Sequence, residues 1–262
     1  MTYNQIVALW QSYNISSVND LQKYLDNFRI LFAYNSGRIE NDEVNYHDTR
    51  EIFENGKVLN YTGNTRTLFE QQNQKTCYDF LIHKIVKKEP LSIELIQEIH
   101  RILTCGTYDE QRFIMNNERP GEFKKHDYIT GVYVVGSSCE HVLEDMTNLI
   151  NEVNSYMGKD ILKVATYLHA KFEYIHPFAD GNGRIGRTIL NYYLMTNNNP
   201  PLIVYDEDKY EYYNSLQEYD KTESLTSLFN FFKKETIKTW KKNLSLAEDK
   251  KAKTKINTKY IT

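Results

Sequence analysis

Residues 176–187 read His-Pro-Phe-Ala-Asp-Gly-Asn-Gly-Arg-Ile-Gly-Arg, which places a histidine, a carboxylate and two arginines around a Gly-Asn-Gly turn. An apolar segment with helical spacing, Ile161 to Ile175, precedes this stretch, and the apolar run 189–195 follows it. Helical spacing on both sides predicts two buried helices joined by a polar loop. The pattern elsewhere in the chain is also mostly helical, so the expected fold class is mainly α, a helical bundle.

The loop has the composition of a phosphate-binding site. A helix N-terminus presents unpaired backbone N–H groups and a partial positive charge, and it therefore binds anions. Gly181 and Gly183 lack a Cβ atom, which lets a phosphate approach the backbone closely. Asn182 can turn its amide toward a phosphate oxygen. Arg184 and Arg187 lie three residues apart, hence on one helix face, and each offers a planar fork to phosphate oxygens.

Two further residues of the loop point to catalysis. Asp180 alone would repel a phosphate, but it makes sense as a ligand to Mg²⁺ (or Mn²⁺) that bridges phosphates. His176 titrates near neutrality and can accept a proton from an incoming hydroxyl. Each residue taken singly has an ordinary structural explanation, and Phe178 is assigned to packing. Their occurrence together at fixed offsets is what indicates a site.

The complete string resembles the signature of the Fic family, His-x-Phe-x-(Asp/Glu)-Gly-Asn-Gly-Arg-x-x-Arg, at every defined position. The resemblance implies the Fic fold and transfer of a nucleotide, usually AMP from ATP, to a hydroxyl side chain (Ser, Thr or Tyr) of a target protein, which can be the protein itself. It implies that His176 is the general base and that Asp180 holds the metal. The remaining defined positions are implied to bind the phosphates of ATP: Gly181, Asn182, Gly183, Arg184 and Arg187.

A second segment, at residues 36–41, reads Ser-Gly-Arg-Ile-Glu-Asn. Taken alone, it suits the start of a short helix, with Asn35 or Ser36 as the N-cap and Glu40 in the first turns. Beside the loop, it resembles the inhibitory helix of the family, (Ser/Thr)-x-x-x-Glu-(Gly/Asn), at Ser36, Glu40 and Asn41. The resemblance implies that Glu40 pairs with Arg187 and removes the partner of the γ-phosphate. It therefore predicts a built-in brake at about residues 35–45.

The hydrophobic period changes after Pro120 and Gly121, where β-branched and aromatic residues form a run bounded by turn residues. This composition predicts a β-hairpin with an exposed edge. It resembles the family's flap, which pairs its main chain with the target by strand addition. The residues assigned to this docking flap are Lys124, Asp127, Tyr128, Ile129, Thr130 and Gly131. Many relatives have arginine where this chain has lysine, so a fork-type contact at that position is in doubt.

Tyr213 is assigned to nucleotide binding, also on resemblance. Well-studied relatives have an aromatic residue and an asparagine seven positions apart in the adenine pocket. Tyr213 matches the first position, but this chain has Asp220 at the second. That difference leaves the preference for adenine open, and a helix with one aromatic face in the core explains the same residues.

The length of 262 residues fits one compact domain in three regions: an N-terminal helical region at 1–60, a Fic catalytic core at 61–245 and a polar tail at 246–262. The net charge of −3 gives no reason to expect nucleic acid or an anionic membrane as a partner. Three cysteines without paired spacing favour a reducing compartment. The N-terminus has no apolar run of signal-peptide or membrane-span length, so a cytoplasmic location is expected.

Several alternatives stay open. The same scaffold serves transfer of another nucleotide, transfer of another phosphate-containing group, or removal of AMP with Glu40 positioning a water molecule. A phosphotransferase of the Doc type is disfavoured because that branch usually has lysine in place of Gly183. A non-catalytic regulatory module is disfavoured by the intact His176 and Asp180. The oligomeric state, including a homodimer, is also open.

Overall fold

The computed structural model of this protein describes residues 1–129 and 136–241, and helices dominate both ranges. None of the helices in these ranges is long and apolar enough to cross a membrane. The final helix, α10, covers residues 226–241. The helices before it are α1 (Tyr3–Ser12), α2 (Val18–Glu40), α3 (Tyr46–Asn55), α4 (Thr65–Val86), α5 (Ile93–Leu103), α6 (Val142–Asn154), α7 (Ile161–Ile175), α8 (Asn182–Thr196) and α9 (Lys209–Thr222).

Local sequence signals set the ends of these helices. At the start of α2, the Ser17 hydroxyl accepts a hydrogen bond from the Asp20 N–H, and the Asp20 carboxylate accepts one from the Ser17 N–H. Such a capping box stabilises a helix by about 1 kcal/mol. At the end of α3, Gly56 takes a left-handed conformation with φ of 75°, which glycine adopts without a steric penalty. Helix α7 is found at Ile161–Ile175, the limits that its apolar spacing predicts.

Helix α2 is longer than the sequence predicts. Its apolar pattern ends near Tyr34, and Asn35 or Ser36 was expected to cap a new helix. Both residues instead lie inside α2, Glu40 is its last residue and Asn41 is its C-cap. The N-cap interpretation is therefore wrong, and the segment predicted as an inhibitory helix at about 35–45 is the last turn of α2 followed by a turn.

Two contacts explain why α2 continues. The Asn35 side chain donates a hydrogen bond to the Leu31 carbonyl one turn back, at 2.8 Å, so it supports the helix and does not cap a new one. Gly37 is tolerated inside the helix because α4 approaches it closely: a Cβ atom at Gly37 would collide with the Gln71 side chain. The close approach brings the end of α2 against the core of the domain.

The core is centred on α7 and α8, which pack along each other. Helix α8 is buried almost throughout, including Ile185, Ile189 and Leu194, as expected for a helix that is covered on every side. A glycine permits the close packing, since a Cβ atom at Gly186 would collide with the Glu173 carboxylate of α7. The loop between α7 and α8 is therefore held at both ends by buried helices.

The predicted β-hairpin is not seen among the described residues. Residues 120–129 contain no strand, and Thr130 and Gly131 lie outside the described ranges. The main chain on both sides bonds to the loop after α7: the Lys124 N–H donates to the Pro177 carbonyl at 2.9 Å, and the Ser137 N–H donates to the Ile175 carbonyl at 3.1 Å. The N–H groups of Lys124 and Ser137 are therefore bonded to the main chain on either side of His176.

Candidate active site

The loop between α7 and α8 begins and ends in left-handed conformations. His176 is the C-cap of α7 with φ of 51°, and its N–H donates to the Phe172 carbonyl at 3.0 Å. A left-handed residue other than glycine costs about 1 kcal/mol and is enriched at functional sites. Gly181 is the N-cap of α8 with φ of 82°. The prediction of a loop between two buried helices, with the glycines at the start of the second, is confirmed.

Phe178 and Asn182 fix the conformation of this loop. The Phe178 ring is fully buried and stacks on the His100 imidazole at 3.8 Å between ring centroids. The Asn182 amide oxygen accepts from the Phe178 N–H at 3.0 Å, and the amide nitrogen donates to the Phe178 carbonyl at 2.8 Å. The sequence suggested that the Asn182 amide turns toward a phosphate. In the structure both polar atoms of this amide are bonded to Phe178 instead. Its contribution to an anion site comes from its backbone N–H.

His176 is neutral at physiological pH. Burial lowers its pKa to about 4, and the positive charge of Lys124 acts in the same direction. A neutral imidazole is the form that can accept a proton from a hydroxyl. Lys124 is itself buried, with 2% of its surface exposed. Its side chain therefore does not form an exposed edge, and the assignment of Lys124 to target docking stays a prediction.

The other described flap residues are Asp127, Tyr128 and Ile129. The Asp127 carboxylate accepts a hydrogen bond from the Cys139 N–H at 2.7 Å. The Tyr128 hydroxyl donates to Glu118 at 2.9 Å. Ile129 is 74% exposed, next to the first residue outside the described range. Asp127 and Tyr128 thus bond to neighbouring segments, and Asp127 and Ile129 are both exposed to solvent.

Arg187 is held by the end of α2. Its Nη2 atom lies 2.7 Å from the Glu40 carboxylate and 2.9 Å from the Ser36 carbonyl, and its Nε atom donates to the Ser36 hydroxyl at 3.0 Å. Burial acts to lower the pKa of Arg187, but the Glu40 charge outweighs it, so the pKa lies above its ordinary value. The structure therefore contains the Glu40–Arg187 pair that the resemblance implied, and it adds Ser36 as a further partner of the same guanidinium.

Gly183 lies directly against this ion pair. A Cβ atom there would collide with the Glu40 carboxylate and would lie 3.0 Å from Nη1 of Arg187. The close approach of two side chains accounts for glycine at this position. Nη1 of Arg187 is buried and has no hydrogen-bond partner among the residues that the structure describes. Glu40 therefore occupies space at the N-terminus of α8, where an anion would bind.

Helix α4 contributes two charged residues that the sequence analysis missed, Arg66 and Glu70. The Glu70 carboxylate is 3.2 Å from Nη1 of Arg184 and 3.1 Å from Nε of Arg66. Nη2 of Arg66 is 2.7 Å from the Asp180 carboxylate. Arg66 and Glu70 stand four residues apart on one helix, a spacing so common on solvated helix faces that it carried no signal by itself.

Asn41 connects the end of α2 to the same helix. Its side-chain amide donates to the Thr67 hydroxyl at 2.9 Å and to Glu70 at 3.3 Å. The end of α2 is thus tied both to Arg187 on α8 and to the acidic residue that pairs with Arg184.

These groups surround one open, largely polar cavity of about 450 Å³, a volume in the range of small-molecule sites. Residues that line it are Glu40, Asn41, Arg66, Glu70, His176, Ala179, Asp180, Gly181, Asn182, Gly183 and Arg184. A second cavity between α2, α4 and α8 is apolar and measures about 50 Å³, too little for a nucleotide. The charged and backbone groups that line the 450 Å³ cavity therefore make it the candidate active site.

Asp180 is the single carboxylate of the loop that a metal ion could use. Burial acts to raise its pKa, but the charges of Arg184 and Arg66 outweigh it and hold the pKa below its usual range. Across the described ranges, no group of three His, Cys, Asp or Glu side chains is placed to bind a metal. Mg²⁺ is commonly held by one or two carboxylates together with phosphates and water. The donor set thus fits a metal that arrives with a polyphosphate.

Tyr213 lies on α9 and is 42% exposed. Its ring packs against Tyr212 at 5.3 Å between centroids, and the Tyr212 hydroxyl is 2.7 Å from Nε2 of His169. His169 is buried, and Asp220 is exposed. An exposed aromatic face on a firmly packed neighbour suits stacking with a base, and the nucleotide-binding role of Tyr213 stays a prediction.

Comparisons with known proteins agree with this arrangement. The Fic/DOC family model matches residues 90–194. The curated relatives include "Protein adenylyltransferase fic-1" of Caenorhabditis briggsae, which is 31% identical over 204 residues, or 75% of this chain and 38% of that protein. The Caenorhabditis elegans protein of the same name is 30% identical over 204 residues, or 75% of this chain and 37% of that protein. The chain therefore spans less than two-fifths of the length of these curated relatives.

Solved structures match the fold over almost the whole chain. A Fic-domain-containing signaling protein from Bacteroides thetaiotaomicron superposes with a TM-score of 0.80 at 23% identity, covering 94% of this chain and 97% of that one. A structure of Fic-1 from C. elegans superposes with a TM-score of 0.73 at 23% identity, covering 94% of this chain and 76% of that one. The protein has the Fic fold and carries a domain of the Fic/DOC family.

Proposed function

We propose that this protein transfers AMP from ATP to a hydroxyl side chain of a target protein, and that its own Glu40 restrains the reaction. The observation that carries the proposal is a neutral His176 at the edge of a cavity that also contains Asp180, the N-terminus of α8 and Arg184. The names of the curated relatives, protein adenylyltransferases, support the same chemistry.

The reaction is a displacement at the α-phosphorus of ATP. The target hydroxyl oxygen forms a bond to this phosphorus, the bond from phosphorus to the oxygen that bridges to the β-phosphate breaks, and pyrophosphate leaves. His176 takes the proton of the hydroxyl. Such transfers depend mainly on positioning and on neutralising the phosphate charge.

The residues at the start of α8 supply this positioning. The backbone of Gly181, Asn182 and Gly183 forms the anion hole, because it presents N–H groups at the positive end of the helix. Arg184 and Arg187 bind the β- and γ-phosphates. Arg187 has a buried N–H group without a hydrogen-bond partner among the described residues, which suits it to donate to a phosphate oxygen.

Asp180 would hold Mg²⁺ or Mn²⁺ in this proposal. The bound ion would supply neutralisation of the phosphate charge. Asp180 lines the cavity with a carboxylate kept ionised by Arg184 and Arg66, and an ionised carboxylate is the form that binds a metal.

The target protein binds along the flap, beside His176. Support comes from the two backbone bonds that join Lys124 to Pro177 and Ser137 to Ile175, since both lie next to the base. A target segment that adds as a strand to residues 127–131 would present its hydroxyl at the loop. Tyr213 stacks on the adenine. A cytoplasmic location, self-modification and a homodimer remain predictions from the sequence.

The proposed restraint is a competition for Arg187. The Glu40 carboxylate and the γ-phosphate cannot both occupy the guanidinium face that points to Gly183, because Glu40 already fills the space above that glycine. A carboxylate and a phosphate are both strong partners for a guanidinium. Release of Glu40 therefore frees the phosphate partner and lets ATP bind in the productive position.

The identity of the transferred group is tested with ATP labelled at either end. The Glu40→Gly chain is incubated with a candidate target, Mg²⁺ and ATP carrying label on the α- or the γ-phosphate. AMP transfer places the α label, and none of the γ label, on protein; transfer of phosphate gives the opposite result. Parallel reactions with GTP, UTP and CTP define the nucleotide. Loss of the label on His176→Ala is expected, since general-base catalysis contributes about 10²–10⁴-fold.

A further inference from the structure

We propose that Arg66, which lies on α4 and outside the loop motif, is a third phosphate-binding arginine of the site. The assignment rests on the proposed function in one respect, that a nucleotide polyphosphate occupies the cavity beside α8. Arg66 would bind this polyphosphate directly, so that the phosphates are held from α4 as well as from the start of α8.

The position of Arg66 meets the geometric requirement. Its side chain is 38% exposed and lines the same cavity as His176 and Gly183. Its Nη2 atom is 2.7 Å from the carboxylate of Asp180, the residue next to the N-cap of α8. A phosphate at the N-terminus of α8 therefore lies within reach of the same guanidinium.

Glu70 fixes the direction of this side chain. Glu70 is 6% exposed, and its carboxylate accepts a hydrogen bond from Nε of Arg66 at 3.1 Å. This bond holds the Nε side of the arginine against α4, while the terminal nitrogens face the cavity. A guanidinium has five N–H donors in a fixed fork, so one edge can stay on a carboxylate while another binds a phosphate oxygen. A flexible, strongly hydrated lysine would not be held in this way.

A second explanation gives Arg66 an indirect role. It neutralises Asp180, and loss of that neutralisation alone would repel a polyphosphate. The two explanations differ in what happens once the Asp180 charge is removed. A direct ligand still contributes to binding in an Asp180→Asn chain, whereas a mere counterion does not.

The chain offers a matched control in Arg50. It pairs with Glu54 at 2.9 Å across the same four-residue spacing, on α3 and away from the cavity lining. Its replacement removes an arginine and breaks a helix-face ion pair, as the replacement of Arg66 does, without touching the site.

The test is equilibrium binding of ATP and of adenosine by isothermal titration calorimetry, in EDTA, with the full Glu40→Gly chain as parent. Arg66→Ala is expected to weaken ATP binding about tenfold and to leave adenosine binding unchanged, because a charge-assisted contact to phosphate is lost. The affinity of Arg66→Lys for ATP should lie between those of Arg66→Ala and the parent, and Arg50→Ala should bind ATP like the parent. Thermal melting of each variant checks that the fold is intact.

The double variant Arg66→Ala/Asp180→Asn decides between the two roles. If the double variant binds ATP about tenfold more weakly than Asp180→Asn alone, the direct contact is supported. If the two bind ATP equally well, the direct contact is overturned. ATP binding that Arg66→Ala leaves unchanged overturns the assignment and leaves the proposed function standing. A parent that binds no ATP contradicts the proposed function itself, and the assignment of Arg66 with it.

Discussion

The guanidinium of Arg187 and the carboxylate of Glu40 lie 2.7 Å apart although 147 residues separate them in the chain. The side chain of Arg187 is 2% exposed, whereas that of Glu40 is 37% exposed. The arginine is thus fixed in the core by its surroundings, and the glutamate reaches it from the last residue of α2. An arrangement of one fixed and one accessible partner allows a phosphate to replace the carboxylate without disturbing the arginine.

Ser36→Ala should release the restraint in part. The Ser36 hydroxyl accepts one hydrogen bond from Arg187, but the Ser36 carbonyl and Glu40 still hold the other side of the guanidinium. A hydrogen bond to a charged group contributes about 1.5–3 kcal/mol. The initial rate of label transfer from α-labelled ATP should therefore rise above that of the unmodified chain and stay below that of Glu40→Gly. A rate equal to that of the unmodified chain would show that the hydroxyl does not contribute.

Gly183→Ala should separate two roles of this glycine. An added Cβ atom collides with the Glu40 carboxylate, and it also covers the backbone that a phosphate would approach. In the Glu40→Gly chain the first role is gone, so any remaining effect belongs to the second. We expect Gly183→Ala to weaken ATP binding in that background, measured by calorimetry. Unchanged binding would mean that the glycine only makes room for Glu40.

The contribution of the buried histidines to the stability of the fold should fall as the pH drops below about 6.5. Burial lowers the pKa of His100 and of His169 to about 3, and that of His176 to about 4. In the unfolded chain these groups titrate near about 6.5. Between these limits the unfolded state binds more protons, so the free energy of unfolding rises with pH and is lost as the pH falls.

Replacing one of these histidines tests the sign of the effect. His100 is held neutral by accepting a hydrogen bond from the Gly121 N–H at 2.7 Å, and His100→Gln removes its titration. Urea unfolding gives the free energy of unfolding at each pH between 5 and 7. The slope of this free energy against pH should be smaller in the variant by the equivalent of about one proton. An unchanged slope would mean that His100 is charged in the folded protein.

The loop and its two helices could be predicted because the information is local. Periodicity indicates α7 and α8, and Gly181 marks the turn between them. The pairing of Glu40 with Arg187 joins distant segments, and it was available only through resemblance to a family. The structure shows that contact, whereas no periodicity or charge rule would have found it.

What the sequence did not provide depends on packing between distant segments. Arg66 and Asp180 are 114 residues apart, and nothing near Arg66 marks it as part of a site. The error on Asn182 has a different cause: its amide finds both partners four residues back, at Phe178, before any ligand can compete. The sequence predicted too short a helix α2 because Asn35 is a common capping residue. The hydrogen bond from the Asn35 side chain to the preceding turn becomes visible only in three dimensions.

The central claim is that Glu40 restrains AMP transfer, and one comparison tests it most directly. The unmodified chain, Glu40→Gly and Glu54→Gly are incubated with α-labelled ATP and Mg²⁺, and label on protein is measured over time. Glu54 is a matched control because it is a carboxylate of similar exposure, 40% against 37%, near the end of a helix away from the cavity. The account predicts strong labelling by Glu40→Gly and weak, equal labelling by the other two chains. Equal labelling by all three would contradict it.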